Sequence, residues 1–374
     1  MLGIVAAIVV LGVLIVVHEF GHFIVAKRSG VGVLKFSVGF GPNLFARTVN
    51  GTEYAVSAIP LGGYVKMIGE DPEAEEPVDP KISFSHQPIW KRAAIVTAGP
   101  IFNLIFAFVA FSGVFYAYGA RIPSEAAKVG GAMEGRPASR ARYPESLLAP
   151  SCDVVSLDAS LRESDVVASV DGRRIETWEE LSEAIQGSAG REVELVVLRD
   201  GSSLTLLVRP EAEPNQNLFG EVTGEVYRIG IERGFDQEQV GVARAITMGA
   251  SQTAWWVQTL ALSVVKIFQG RIPARDIGGP ILIVQTAGQQ AKVGLESLLH
   301  FMAVISINLG ILNLLPIPIL DGGHLLFLTI EAVMRRPLDT RHREIAQQVG
   351  FVILICLMAF AFYNDIARNL PGWG

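Results

Sequence analysis

Residues 2–26 read LGIVAAIVVLGVLIVVHEFGHFIVA, an apolar run broken only at His18, Glu19 and His22 and closed by Lys27 and Arg28. About 20 helical residues cross the hydrocarbon core of a bilayer, so Leu2–Ala26 is long enough to span it. No basic stretch precedes the run and no small-x-small cleavage pattern follows it, so it reads as a retained helix and not as a signal peptide. On a helix, residues four apart differ by about 40° around the axis, which aims His18 and His22 at one point in a manner suited to zinc. Glu19, between them, is positioned to take a proton from a water held there. Ionisable groups inside a span are costly and default to function. Without a third ligand, the same residues would read as two histidines capping a membrane helix near the interface.

The remaining composition agrees with a membrane protein. Of 374 residues, 50% are hydrophobic and 18% charged, and the mean hydropathy is +0.39, outside the range of soluble globular chains. Two cysteines, Cys152 and Cys356, exclude a disulfide framework and a Cys-rich metal site built by this chain. Residues 121–240 hold 22 acidic against 13 basic side chains, leaving 15 and 18 of the chain's 37 and 31 for everything else. An acidic segment between slightly basic membrane parts argues against nucleic acid as a partner.

Three further stretches are long and apolar enough to span: Ala93–Gly119, Ser297–Leu320 and Ile345–Asn364. Ala245–Val265 is also uncharged, but its Ser, Thr and Gln residues and the Trp255-Trp256 pair suit a helix lying along the membrane surface. Lys27-Arg28, Lys91-Arg92 and Arg335-Arg336 flank the first three spans and place those loops in the cytosol. Four crossings then leave both termini and the acidic segment outside. Between the first two spans, Tyr54–Ile59 and Tyr64–Ile68 alternate around Pro60-Leu61-Gly62-Gly63, which predicts a hairpin, either cytosolic or dipping into a protein-lined cavity. Asp71–Asp79, acidic and Pro-bearing, reads as a linker.

In the acidic segment, Asp165–Val170 predicts a strand ending at Asp171-Gly172, and Thr177-Trp-Glu-Glu180 a capping box opening a helix that stops near Gly187. Val193–Leu198, Asp200-Gly201 and Leu204–Val208 predict a hairpin. This order resembles the C-terminal half of a PDZ domain, with Leu161–Ile175 at that family's GLxxGDxIxxVNGxxI run. Gly135-Arg-Pro-Ala138 resembles its GSPA turn, which makes Tyr143–Ser160 an insertion.

The third ligand should be a carboxylate or histidine, and Asn313-Leu-Leu-Pro-Ile-Pro-Ile-Leu-Asp321-Gly-Gly supplies Asp321. Pro316 and Pro318 break the helix and let that carboxylate turn toward a partner. Taken alone, Asp321 would be an ordinary helix-end aspartate and Asn313 a polar interhelical contact. His18 and Asp321 can share one metal only if their helices run in the same direction. One crossing between them allows this, and a second crossing by Ala245–Val265 would forbid it.

HEFGH, Gly99-Pro100-Ile-Phe-Asn103 and the Asn313–Asp321 run, in this order and in these spans, resemble the site-2 protease family of intramembrane zinc metalloproteases, most closely its bacterial RseP-like branch. The resemblance covers nearly the whole chain. It implies His18, His22 and Asp321 as Zn2+ ligands and Glu19 as catalytic base, with Gly99, Pro100, Asn103, Pro316 and Pro318 as structural motif positions. It also implies substrate contact by Asn313 and by the hairpin, at Tyr64, Val65, Lys66 and Met67. The fold expected is a polytopic α-helical membrane protein with four transmembrane helices, a membrane-associated β-hairpin and an extracytoplasmic PDZ-like α+β domain.

The expected organisation is a first membrane helix in 1–28, a cytosolic-side re-entrant hairpin and linker in 29–92, a second helix in 93–119 and the PDZ-like domain in 120–240. A surface helix and linker follow in 241–296, the third helix in 297–321, a cytosolic loop in 322–344 and the fourth helix and tail in 345–374. As partners the resemblance implies the lipid bilayer of the bacterial inner membrane, a single-span substrate such as an anti-sigma factor, and an upstream site-1 type protease that makes a first cut. Two rivals are a noncatalytic PDZ-bearing adaptor and a metal transporter; intact Glu19 and Asp321 argue against the first, and the lack of a second HExxH-like or paired broken segment against the second. His324, three residues after Asp321, reads either as a group supporting that ligand or, more plainly, as a helix-surface residue, and His86, His300 and His342 have no motif partner.

Overall fold

The computed structural model describes residues 2–70, 79–144, 159–216, 222–273, 275, 278–336 and 338–370. Most of the Asp71–Asp79 linker and of the Tyr143–Ser160 insertion lie outside the described residues. The chain divides into two compact units, one formed by Met1–Tyr118 with Gly241–Gly374 and the other by Gly119–Val240.

The first unit contains the helices α1 (Leu2–Arg28) and α2 (Ile89–Tyr118), with strands β1 (Val33–Val49) and β2 (Thr52–Met67) between them. Among the described residues, four helices are long and apolar enough to cross a membrane, with mean hydropathies from 1.7 to 2.6: α1, α2, Leu295–Asn313 and Arg341–Asn369. The protein is a multi-pass membrane protein.

Small residues let these helices approach closely, as interfaces in lipid require. A side chain at Gly21 of α1 would lie 2.5 Å from the Ala98 carbonyl oxygen of α2, so the backbones are in contact there.

The predicted hairpin is corrected. Tyr54–Ile59 and Tyr64–Ile68 do not pair with each other around Pro60–Gly63. The tight turn is Asn50-Gly51, with φ of 49° and 77°, and it places Val49 opposite Thr52 and Phe45 opposite Val56. An Asn-Gly turn takes positive φ at both residues and matches the twist of antiparallel strands, a signal the sequence reading passed over. The start of β1, Lys35 to Val38, is flanked on one side by Glu53 to Val56 and on the other by Lys66 to Gly63. Both expected segments are strands, but β1 lies between them. Residues 63–67 thereby form one margin of the sheet, and Val65 and Met67 pack with Val31, Val33 and Ile95 beneath it.

The third expected span, Ser297–Leu320, is shorter than read. After the second unit come α4 (Val242–Phe268), α5 (Pro280–Val293), α6 (Leu295–Asn313), α7 (Asp321–Met334) and α8 (Thr340–Asn369). The helix α6 stops at Asn313, Pro316 and Pro318 interrupt the backbone, and Asp321 opens α7 instead of closing α6. The stretch 322–344, read as a loop, is therefore mostly helix, and 241–296, read as one helix and a linker, holds two.

Trp256, Val257 and Leu260 of α4 pack on Ala107 and Phe111 of α2 and Ile307 of α6. In α5, Ala287 packs on Ala6 and Ala7 of α1. Val10 and Leu14 of α1 pack on Met302 of α6, and further along His18 meets Asn313, so α1 and α6 run in the same direction. Two carboxylates fasten the outer helices. Asp365 of α8, 1% exposed, accepts from the Gly279, Ile281 and Leu282 N–H groups at the start of α5. Glu331 of α7, 2% exposed, pairs with Arg92 of α2 at 2.9 Å and with Arg343 of α8.

The second unit is an α+β domain. Its sheet runs β6 (Arg173–Arg174), β5 (Val166–Val170), β7 (Val193–Arg199), β8 (Ser202–Val208), and α3 (Trp178–Gly187) packs Leu181 and Ile185 into a core with Val167, Leu195 and Leu206. The pairs β3 (Ala120–Pro123) with β12 (Phe235–Glu238), β4 (Val129–Ala132) with β11 (Ile231–Arg233), and β9 (Glu211–Gln216) with β10 (Val222–Arg228) complete it. The predicted strand, capped helix and hairpin are found. The turns Asp171-Gly172 and Asp200-Gly201 all have positive φ. Thr177 accepts from the Glu180 N–H, and the Glu180 carboxylate accepts from the Glu176 and Thr177 N–H groups, which holds it below the usual carboxylate range. Asp165, 1% exposed, takes two bonds from Arg199 and so pins the loop before β5 to the hairpin.

Candidate metal centre

The apolar α1 keeps its two histidines one turn apart and turns both toward α2. His18 is buried, His22 and Glu19 are half-buried, and the three sit where α1 passes Gly99 of α2. A Cβ at Gly99 would lie 2.3 Å from His22 Nε2 and 2.8 Å from His18 Cε1, so only glycine leaves room for both rings. Pro100 follows inside α2, and a Cβ at Gly310 of α6 would make a tight 3.1 Å contact with its carbonyl oxygen.

Asp321 joins the histidines from the start of α7. His18 Nε2 lies 3.1 Å from Asp321 Oδ2, His22 Nε2 lies 3.5 Å from Oδ1, and the two Nε2 atoms are 3.2 Å apart. One ligand atom from each of the three residues falls within 4.8 Å of the others. Gly322 and Gly323 make this possible, because side chains there would meet the carbonyls of Leu315 and Ile317 at 2.2 and 2.3 Å. The bend through Pro316 and Pro318 thus folds back onto the start of α7.

The donor set fits a metal on the structure's own terms. His22 Nδ1 donates to the Ile95 carbonyl oxygen at 2.8 Å, which leaves the Nε2 lone pair facing the cluster. Asp321 Oδ2 is buried and accepts no hydrogen bond despite the histidines beside it. Two imidazole nitrogens and a carboxylate oxygen converging in this way are the ligand chemistry of zinc.

The site opens into a cavity of 520 Å³ lined by His18, His22, Asp321, Glu19, Asn313 and Tyr64 among others. Asn313, at the end of α6, reaches His18 Nε2 with its amide nitrogen at 3.3 Å. Val65 and Met67 on the sheet margin turn their N–H groups toward carboxylates, Val65 to Glu19 and Met67 to Glu70 at 3.0 Å. Tyr64 stacks on Phe40, while Lys66 is exposed. His18, Glu19, His22, Asn313 and Asp321 line this cavity together with Tyr64, Val65 and Met67, while Gly99 and Asn103 of α2 touch the histidines from behind and Pro100 faces α6.

Sequence reasoning missed Glu70, Arg343, Glu344 and Gln347 as cavity residues; of its two readings of His324 it favoured the helix surface, whereas His324 lines the cavity wall. The α7 spacing offered a signal for His324, which stands three residues beyond Asp321. Glu70 ends the hairpin with no motif around it, and only pairing register brings it to the site.

Residues 6–357 match the sequence pattern of peptidase family M50. The chain is similar to a protein named as a zinc metalloprotease in Mesorhizobium japonicum, 36% identical over 96% of each chain. It is also similar to the regulator of sigma-E protease RseP of Escherichia coli, 33% identical over 96% of this chain and 97% of that one. The RseP of Salmonella typhimurium is 31% identical over 97% of this chain and 98% of its own.

Proposed function

The chain belongs to peptidase family M50 and is a zinc metalloprotease, and from that premise we propose that it hydrolyses peptide bonds within the transmembrane segments of single-span membrane proteins. His18, His22 and Asp321 would hold Zn2+, and Glu19 would be the catalytic base. The observation that carries this reading is the meeting of those ligand atoms with Glu19 inside a bundle of membrane-spanning helices.

Zinc, when bound, supplies Lewis acidity that brings a water's pKa to about 7 and polarises the scissile carbonyl. Glu19 takes the proton of the attacking water, the water oxygen bonds to the carbonyl carbon, and the carbon–nitrogen bond breaks. The same proton passes from Glu19 to the leaving nitrogen, so no covalent enzyme intermediate forms. The Asn313 amide, beside His18, is suited to hold the substrate backbone at the reacting bond.

A substrate helix hides its amides in i to i−4 bonds and must unwind before cleavage. The margin Tyr64–Met67 offers a strand to which the unwound segment adds, with Val65 and Met67 N–H groups already turned toward Glu19 and Glu70. The two RseP relatives act, by their name, as regulators of sigma-E. By analogy the substrate here is an anti-sigma factor or similar regulator, cut after a first protease has shortened it, in the bacterial inner membrane.

The Lys/Arg distribution favours a topology with Gly69 on the cytosolic side, α4 along the outer surface, and both termini and the Gly119–Val240 unit outside. The second unit reads as a PDZ-like domain. Inserted between α2 and α4, it serves as a filter against bulky substrate ectodomains. Zinc analysis of the purified protein, together with cleavage of a panel of single-span test substrates, tests the reading. Cleavage without bound metal, or metal without any cleavage, would count against it.

A further inference from the structure

We propose that Asn103 is a positioning residue whose side-chain carbonyl accepts the Nδ1–H of His18 and fixes that imidazole with its Nε2 lone pair toward the metal. This rests on the assignment of His18 as a zinc ligand made above.

Asn103 is 0% exposed, and its side-chain amide lies 3.1 Å from His18 Nδ1. The other ring nitrogen already faces the cluster, with Asp321 Oδ2 at 3.1 Å, His22 Nε2 at 3.2 Å and the Asn313 amide at 3.3 Å. A neutral imidazole carries one N–H. With Nε2 turned to the cluster, that hydrogen sits on Nδ1 and requires an acceptor.

The Asn103 amide nitrogen faces Nδ1, while its Oδ1 is buried with no hydrogen-bond partner. An N–H opposed to an N–H beside an orphaned oxygen is the mark of a reversed amide, since the two ends have nearly the same shape. Half a turn about χ2 puts Oδ1 against Nδ1–H without altering the packing. His22 follows the same rule with the Ile95 carbonyl. The helix α2 then furnishes one acceptor to each histidine, and such partners orient metal ligands and raise their basicity.

The backbone of Asn103 is held independently, because its carbonyl accepts from Ser306 Oγ of α6 at 2.8 Å. The competing account makes Asn103 a polar contact between helices with no bearing on the metal.

Chelator competition for zinc by the full-length protein, as wild type, Asn103→Asp and Asn103→Leu, separates the two. A carboxylate accepts in the same place, so Asn103→Asp should keep zinc affinity within about threefold, and Asn103→Leu should weaken it about 10- to 100-fold. Cleavage should follow the metal and return in Asn103→Leu at saturating zinc. Unchanged affinity in Asn103→Leu would overturn the proposal. If the leucine variant does not fold, Asn103→Asp decides alone: a loss of about tenfold or more would mean that the amide donates. A wild-type protein that binds no zinc would instead overturn the ligand assignment itself.

Discussion

Gly99 and His22 stand so close that the smallest side chain at residue 99 would lie 2.3 Å from His22 Nε2. The contact is with the ring atom that faces Asp321, so any side chain at Gly99 disturbs the candidate metal centre before it disturbs helix packing. Gly99→Ala is therefore expected to lower zinc content at least tenfold while leaving the helical circular-dichroism signal in place. Full zinc occupancy in that variant would show that α1 and α2 can separate without cost.

A proline at Val65 removes the N–H that reaches Glu19 and blocks strand addition at the centre of the sheet margin. One lost donor costs a net ~1 kcal/mol, more where a carbonyl is left buried and unpaired. Cleavage should fall by about fivefold or more with zinc retained. Rates within twofold of wild type for proline at Val65 and at Met67 would remove the sheet margin from the mechanism.

Glu331 carries two arginines on a side chain that is 2% exposed. Removing its charge leaves Arg92 and Arg343 uncompensated, and breaking such buried pairs costs about 3–5 kcal/mol. Glu331→Gln should lower the thermal unfolding midpoint in detergent by several degrees. No change in midpoint would mean that water reaches the pair.

With Cys152 and the exposed Cys356 replaced, a cysteine at Gly69 should react with an impermeant reagent only from the cytosolic side and one at Ser202 only from the opposite side. The reverse labelling would invert the topology. Deleting 120–240 and joining α2 to α4 through a short linker is feasible, since Gly249 of α4 lies against Ser112 of α2. That deletion should keep zinc and admit substrates with long ectodomains. Continued rejection of those substrates would remove the filter role.

Much of the site was legible because its chemistry is written at fixed spacing. HEFGH puts two imidazoles on one helix face, and the only partner on a broken helix end was Asp321. The second unit was legible wherever Asp-Gly turns and the Thr177–Glu180 box punctuate it. The hairpin was misread because Pro60–Gly63 outweighed Asn50-Gly51, and Val33–Val49 shows no clean alternation to mark a strand. The α6–α7 break was anticipated from its prolines. The return of the chain as α7 was not, because it depends on Gly322 and Gly323 fitting beneath the Leu315 and Ile317 carbonyls. Asn103 appeared in sequence as a motif position, and only its distance to His18 gives it a chemical task.

The central claim is that Glu19 moves the proton while His18, His22 and Asp321 hold the metal. Cleavage of a single-span substrate by Glu19→Gln, measured alongside its zinc content, tests this most directly. The account predicts full zinc occupancy and no detectable hydrolysis, since the amide cannot take a proton. Hydrolysis at the wild-type rate by the zinc-loaded variant would contradict it.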